Sequence, residues 1–300
     1  MKKQLIYIIA IMIGSSIVVS CKKDISATKA NIKIGHIYLS AGGSDYTFTY
    51  APNNQLIFVR QLGPLFANNS CMSGTITNPY EFSISTFSNI ITLDNYKFIG
   101  DGHSYPMESL DQYLFLNANN TILKINAGVM DSPLGGSCFA GGILNFKYEN
   151  SYIASISMDA NKYTPNITDT IKDFEFTGKN LTAFKYGGMR KTEFQLGYQN
   201  NAPDTSVINV NGINNIILSN PFDVQAVLPI LAIDNRFSLT GKKMEKLINS
   251  FTFTEPSNGN PITTTWIINY LYDSEGHITR INYLNSQTAV IERYVIIDYL

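Results

Sequence analysis

The sequence predicts an all-β, mostly antiparallel fold, and three observations support this prediction. Apolar and polar residues alternate in many short segments, such as Tyr46–Tyr50 and Leu144–Tyr148, which is the period of a half-buried strand. Turns rich in Asn, Gly and Asp separate these segments and favour hairpins between sequence neighbours. Aromatic residues make up 12% of the chain and suit strands. The pattern fits both a sandwich and a single curved sheet.

Each predicted strand is paired with the next through the short polar turn between them. The paired segments are Tyr46–Tyr50 with Leu56–Val59, Tyr113–Leu116 with Thr121–Ile125, Leu144–Tyr148 with Tyr152–Ile156, Phe174–Phe176 with Leu181–Phe184, and Ile267–Tyr272 with Ile278–Tyr283. Val290–Tyr299 is predicted as the last strand.

One segment departs from the alternation and predicts a short helix near residues 220–228. Asn220 suits the N-cap, Pro221 the first helical position, and Asp223 the first turn. The helix is expected to end before Pro229, because a proline disfavours helical geometry in the residue that precedes it. The apolar run that follows Asp223 predicts that this helix packs on a sheet face.

Composition excludes several classes of function. The 300 residues carry 22 Lys and Arg against 23 Asp and Glu, so a basic surface for nucleic acid is not expected. The three histidines, His36, His103 and His277, are far apart, and no HExxH or CxxC pair occurs. No glycine pair is followed by the Gly-Lys-Ser/Thr of a phosphate loop. We therefore expect no metal and no cofactor.

The first 20 residues resemble a lipoprotein signal peptide. Lys2 and Lys3 precede a short apolar run, and Val18-Val19-Ser20-Cys21 resembles a bacterial lipobox. This motif implies a lipid such as palmitate on Cys21 and a membrane contact through that lipid. Residues 21–33 are then a polar tether and residues 34–300 the β domain, with a candidate sub-boundary near 142–150. Lys22 after the lipidated cysteine is typical of sorting to the outer membrane, on either its periplasmic or its external face.

The other two cysteines admit two interpretations. An exported chain with two spare cysteines commonly pairs them, which predicts a disulfide between Cys71 and Cys138. Alternatively, Gly136-Ser137-Cys138-Phe139-Ala140 resembles the nucleophile segment of papain-like proteases, and His277 follows at a suitable spacing. Against this hydrolase, Gly141 and Gly142 are poor helix formers where that family begins a helix.

The C-terminal third carries a family resemblance. Tyr270-Leu271-Tyr272-Asp273 with Gly276 and Ile281 resembles a tyrosine-aspartate repeat of the Rhs type. Together with Ala226–Pro229 and Ser238–Leu247, this unit resembles β-rich outer-membrane lipoproteins of unknown function from Bacteroidetes-type bacteria. The resemblance covers residues 210–300 and implies an outer-membrane lipoprotein, but it supplies no activity and no site residues.

These observations predict a lipid-anchored envelope protein that binds or scaffolds without catalysis. Trp266 shares a strand face with Ile268 and Tyr270, so Trp266, Tyr270 and Tyr272 are candidates for stacking on a ligand, with cross-strand packing as the alternative. A glycan, a lipid or a protein are the candidate partners. Two alternatives stay open, namely a carrier of an apolar ligand and the hydrolase built on Cys138 and His277.

Overall fold

The computed structural model describes residues 33–40, 43–62, 80–100, 103–105, 112–118, 121–126, 143–159, 170–187, 191–201, 203–219, 222, 228–233, 237–257 and 260–300. Residues from Lys33 to Leu300 form one compact unit. The strands are β1 Ile34–Leu39, β2 Ser44–Tyr50, β3 Leu56–Leu62, β4 Tyr80–Phe87, β5 Ile90–Gly100, β6 His103–Tyr105, β7 Gln112–Leu116, β8 Ile122–Asn126, β9 Ile143–Glu149, β10 Tyr152–Asp159, β11 Thr170–Thr177, β12 Asn180–Tyr186, β13 Glu193–Tyr198, β14 Ile248–Glu255, β15 Ile262–Tyr272, β16 Ile278–Asn285 and β17 Ile291–Tyr299. The helices are α1 Val210–Ser219 and α2 Leu228–Ile233.

The strands close into an antiparallel barrel. Neighbours in sequence pair throughout, and the last strand returns to the first, with Ile297 of β17 opposite Ile37 of β1. The short β6 and the following β7 pair with opposite ends of β5, so together they occupy one of 16 strand positions. The predicted all-β antiparallel class is confirmed. Of the two predicted forms, the single curved sheet is the nearer, and it closes on itself because β17 pairs with β1 and leaves no edge.

The two faces of this barrel differ in polarity. Alternate strand residues such as Ile37, Phe184 and Ile268 are buried, and the buried apolar side chains of all the long strands form one continuous core. Because the ring of strands is closed and all the long strands contribute to the same core, that core lies inside the barrel. The intervening residues, such as Glu193 and Asn269, face outwards and are exposed. The strands thus follow the two-residue alternation that the sequence predicts.

Helix α1 lies within this core, since all ten of its residues are buried. Its asparagine side chains satisfy backbone groups that would otherwise be buried without partners. Asn214 Nδ2 donates to the Lys246 carbonyl at 2.8 Å, and Asn215 Nδ2 donates to the Leu231 carbonyl at 2.9 Å. The amide side chains therefore hold α1 against the chain that follows it.

Helix α1 ends just before the predicted helix near 220–228, and α2 begins at the last residue of that prediction. Phe222 lies in a turn, and α2 begins at Leu228, so Pro229 stands in the first turn of a helix rather than after its end. A proline is tolerated there because first-turn N–H groups have no partner within the helix. Residues 220, 221 and 223–227 lie outside the described residues.

The barrel has two unlike ends. At the helical end, short turns such as 51–55 and 178–179 join the strands, and the connection 199–247 packs there. Ile153 N donates to the Thr240 carbonyl, and Lys179 Nζ lies 2.6 Å from Glu245 Oε1. At the opposite, loop end, the strands are joined by residues 63–79, 127–142 and 160–169, which lie outside the described residues.

Both ends of the described chain meet at the helical end, where Leu300 N donates to the Lys33 carbonyl at 2.9 Å. Within the described part of the chain, neither helix is long and apolar enough to cross a membrane.

Candidate functional site

The candidate site lies on the inner wall of the barrel, around Trp266 of β15. Thr264, Trp266, Ile268 and Tyr270 all face inwards, as their alternation predicts. Exposure increases towards the loop end, from 8% at Trp266 to 58% at Ile262. The inner wall around Trp266 is therefore the boundary between the packed core and the more accessible part of the lumen.

An irregularity in β17 brings two charged residues to this wall. Tyr283 pairs with Arg293 and Leu284 pairs with Ile291, so Glu292 is an extra residue in the ladder. Trp266 Nε1 donates to Glu292 Oε2 at 2.6 Å, and Asn285 Nδ2 donates to Glu292 Oε1 at 2.7 Å. These two hydrogen bonds fix the carboxylate against the indole.

The hydrogen bonds also favour the ionised form of this carboxylate. Donation from Asn285, then donation from Trp266, hold the pKa of Glu292 below its ordinary value, and the Arg293 charge lowers it further. The carboxylate consequently keeps its negative charge across the neutral pH range.

Arg293 lies over the Trp266 ring, with its Cζ 4.6 Å from the ring centroid. This is cation–π geometry, in which the positive guanidinium is attracted to the face of the indole. No described carboxylate makes an ion pair or hydrogen bond with this guanidinium. Its N–H donors are thus available on the lumen side.

Aromatic rings cover the rest of the indole. Phe253 and Tyr283 meet it edge to face, with ring centroids 5.1 Å and 6.0 Å from the indole centroid. Phe251 stacks on it at a centroid distance of 6.3 Å. The rings continue through Phe194 to Phe184. In this arrangement Trp266 packs across strands, and its charged partner is the partly buried Arg293.

The other predicted stacking residues do not join Trp266 in one platform. The Tyr270 hydroxyl donates to the Ile248 carbonyl within the core, and burial raises the pKa of Tyr270 well above its ordinary value. Tyr272 is 46% exposed and lies at the end of β15 next to the 273–277 turn, at the helical end.

The predicted turn at Asp273 is present, with Asp273 Oδ1 accepting from the backbone N–H of His277 and Gly276 at a φ of 90°. His277 Nδ1 lies 3.0 Å from Asp273 Oδ2 in this turn. The predicted lipidation site Cys21 and the predicted disulfide partners Cys71 and Cys138 lie outside the described residues. Among the residues that are described, no three His, Cys, Asp or Glu side chains are grouped to hold a metal.

A second polar group faces the lumen near the loop end. Gln61 of β3 stands opposite Tyr46 of β2 and is only 4% exposed. Burial raises the pKa of the neighbouring Tyr46 to about 12, so its phenol stays neutral.

Sequence reasoning missed Glu292 and Arg293, and it did not place Asn285 beside Trp266. The adjacent acid and base in Val290–Tyr299 were a usable signal, because they interrupt the alternation of a strand. Alternation alone assigns Glu292 and Arg293 to opposite faces of the strand, whereas the bulge brings both side chains to the inner wall.

The geometry predicts how the indole responds to acid. The chain has one Trp, so its indole N–H gives a single ¹H–¹⁵N resonance. That resonance is expected to shift with a midpoint below pH 4.5, the ordinary value for Glu, as Glu292 takes up a proton. Because the folded-state pKa is lowered, Glu292 stabilises the fold above its unfolded-state pKa. This contribution to stability is lost as the pH falls through the lower pKa that Glu292 has in the folded state.

The matched variants separate Glu292 from other carboxylates. Glu292→Gln is expected to abolish the shift, and Asn285→Ala is expected to raise its midpoint. A midpoint at or above pH 4.5 in the unaltered protein, or a shift that persists in Glu292→Gln, contradicts the arrangement.

No protein-family model and no curated protein matches this chain. Two solved structures are similar in fold. A porin-like protein from Bacteroides vulgatus is 10% identical with a TM-score of 0.55, and the match covers 89% of this chain and 98% of that one. A porin-like protein from Bacteroides uniformis is 11% identical with a TM-score of 0.53, covering 90% and 96%.

Both similar proteins come from Bacteroides, in agreement with the predicted resemblance to Bacteroidetes proteins. The Rhs-type and lipoprotein parts of that resemblance stay predictions. At these identities the similarity is one of fold, and the chain shares the antiparallel barrel of these two porin-like proteins.

Proposed function

We propose that this protein is a water-soluble barrel, tethered to the cell envelope by a lipid, that binds a ligand at its loop end without catalysis. The observation that carries this proposal is the polarity of the barrel, which is the reverse of that in a membrane-spanning porin. The porin-like fold and the predicted signal peptide support a place at the outer membrane.

The outer face is unsuited to lipid. Transmembrane barrels carry an apolar outer band about 25 Å tall, and Lys or Arg on it costs about 2–4 kcal/mol at the bilayer midplane. Here Lys185 and Glu193 face outwards as a pair, 3.0 Å apart. His36 lies between Asp45 and Asp298, at 2.6 Å and 2.8 Å. These groups are stabilised by water and not by acyl chains.

The inner face is unsuited to an aqueous channel. Phe184, Phe222 and Leu181 are fully buried inside the barrel, where a porin carries polar residues around water. The 199–247 connection packs across the helical end. The interior of the described barrel is therefore a packed core at that end.

The proposed tether gives the barrel an orientation. A lipid on Cys21 and a tether over 21–33 bring the chain to Lys33, which lies at the helical end. In this proposal the helical end is the one nearer the membrane, and the loop end is presented to solutes.

The two alternatives receive less support. His277 lies in a turn at the helical end, where its Nδ1 contacts Asp273, and Cys138 lies outside the described residues. The aromatic packing around Phe184 and Phe222 occupies the space that a carrier of an apolar ligand needs.

The test uses the chain from Lys22 onwards, because Lys33–Leu300 is one compact unit. We expect it to be monodisperse without detergent and to give no conductance steps in planar bilayers at concentrations where a known porin conducts. Stepwise conductance, or a strict requirement for detergent, would overturn the proposal.

A further inference from the structure

We propose that the inner wall around Trp266 binds a ligand that carries a carboxylate on a hydroxylated ring, with Arg293 receiving the carboxylate. This inference rests on the proposed function and names the class of its ligand. The site consists of Phe253, Trp266, Tyr283, Asn285, Glu292 and Arg293.

Arg293 determines the charge of the ligand. Its guanidinium lies over the indole ring, and no described carboxylate makes an ion pair with it. A planar guanidinium matches a carboxylate through two parallel hydrogen bonds. The neighbouring Glu292 is ionised, so a second negative charge on the ligand is repelled. A single carboxylate therefore fits better than a doubly charged phosphate.

Glu292 and the aromatic rings determine the rest of the ligand. Each Glu292 oxygen accepts one hydrogen bond from the protein, from Trp266 or Asn285, and keeps a lone pair for a ligand hydroxyl. Phe253 and Tyr283 are only partly buried beside the indole, and they offer apolar edges to the C–H groups of a ring.

The probe is glucuronate, followed by the fluorescence of the chain's one tryptophan. We expect glucuronate to change the emission of Trp266 saturably, and glucose and acetate to bind at least about tenfold more weakly. Glucose has no carboxylate and loses the charge-assisted hydrogen bond, whereas acetate loses the hydroxyl contacts. Either loss corresponds to about that factor in affinity. Absence of a saturable response to glucuronate, or equal affinity for acetate, would overturn the inference.

The chain supplies a matched control for Arg293. Arg280 makes the same kind of stack with Tyr294, Cζ to centroid 4.4 Å, on the outer face of the barrel. Arg293→Gln is expected to weaken glucuronate binding about tenfold or more, while Arg280→Gln leaves it within about twofold. Equal effects of the two substitutions, or none from Arg293→Gln, contradict the proposal.

Arg293→Lys keeps the charge without the planar fork and is expected to bind with intermediate affinity, so it tests the site even if Arg293→Gln does not fold. A barrel that conducts ions refutes the proposed function. A non-conducting barrel that ignores glucuronate refutes only the ligand class.

Discussion

Replacing Phe184 with alanine is expected to lower the free energy of unfolding by about 3–5 kcal/mol, the usual cost of truncating a buried phenylalanine. Phe184 is fully buried. Its ring stacks on Phe194 at 4.6 Å and meets Phe222 edge to face at 5.1 Å, so it joins the barrel wall to the chain inside it. Chemical denaturation followed by far-UV circular dichroism measures the change.

Phe87→Ala is the matched control, because Phe87 is 82% exposed. Its effect is expected to stay within about 0.5 kcal/mol. If the two substitutions cost the same, the ring of Phe184 does not lie in a packed core.

Replacing Asn214 with alanine is expected to cost about 2–4 kcal/mol, since the buried N–H of Ile248 loses its partner at about 1–3 kcal/mol and the partly buried carbonyl of Lys246 loses its partner at about 1 kcal/mol. Asn214 is fully buried in α1. Its Nδ2 donates to the Lys246 carbonyl at 2.8 Å, and its Oδ1 accepts from Ile248 N at 3.2 Å. The side chain thus joins α1 to the start of β14.

Hydrogen exchange gives this second prediction its own readout. The Ile248 amide is expected to exchange faster in Asn214→Ala, while Asn269→Ala, on the exposed outer face of β15, changes neither stability nor exchange there. Unchanged protection of Ile248 would show that Asn214 does not hold that amide.

The strands were predictable from sequence where alternation and a polar turn coincide. Phe174–Phe176 and Leu181–Phe184 form the predicted hairpin, because both signals are local. Closure of the barrel was not predictable, since it depends on pairing between Ile37 and Ile297, and alternation is the same in an open sheet and a closed one. Helix α1 was missed because Asn211, Asn214 and Asn215 resemble turn residues; their amides serve buried backbone groups instead.

The candidate site was predictable only in part. The inward direction of Trp266 followed from alternation along β15. Its partners Glu292 and Arg293 could not be assigned to the same wall, because one extra residue in β17 changes which side chains face inwards.

The pairing of β17 with β1 also constrains how the chain reaches its native state. In synthesis β1 emerges before the rest of the barrel, yet its partner β17 is the last of the described strands to appear. Until then β1 has an unpaired edge that can join another chain. Contacts between such distant segments are slow to form. The final ring closure is therefore a step at which the nascent protein depends on protection from aggregation.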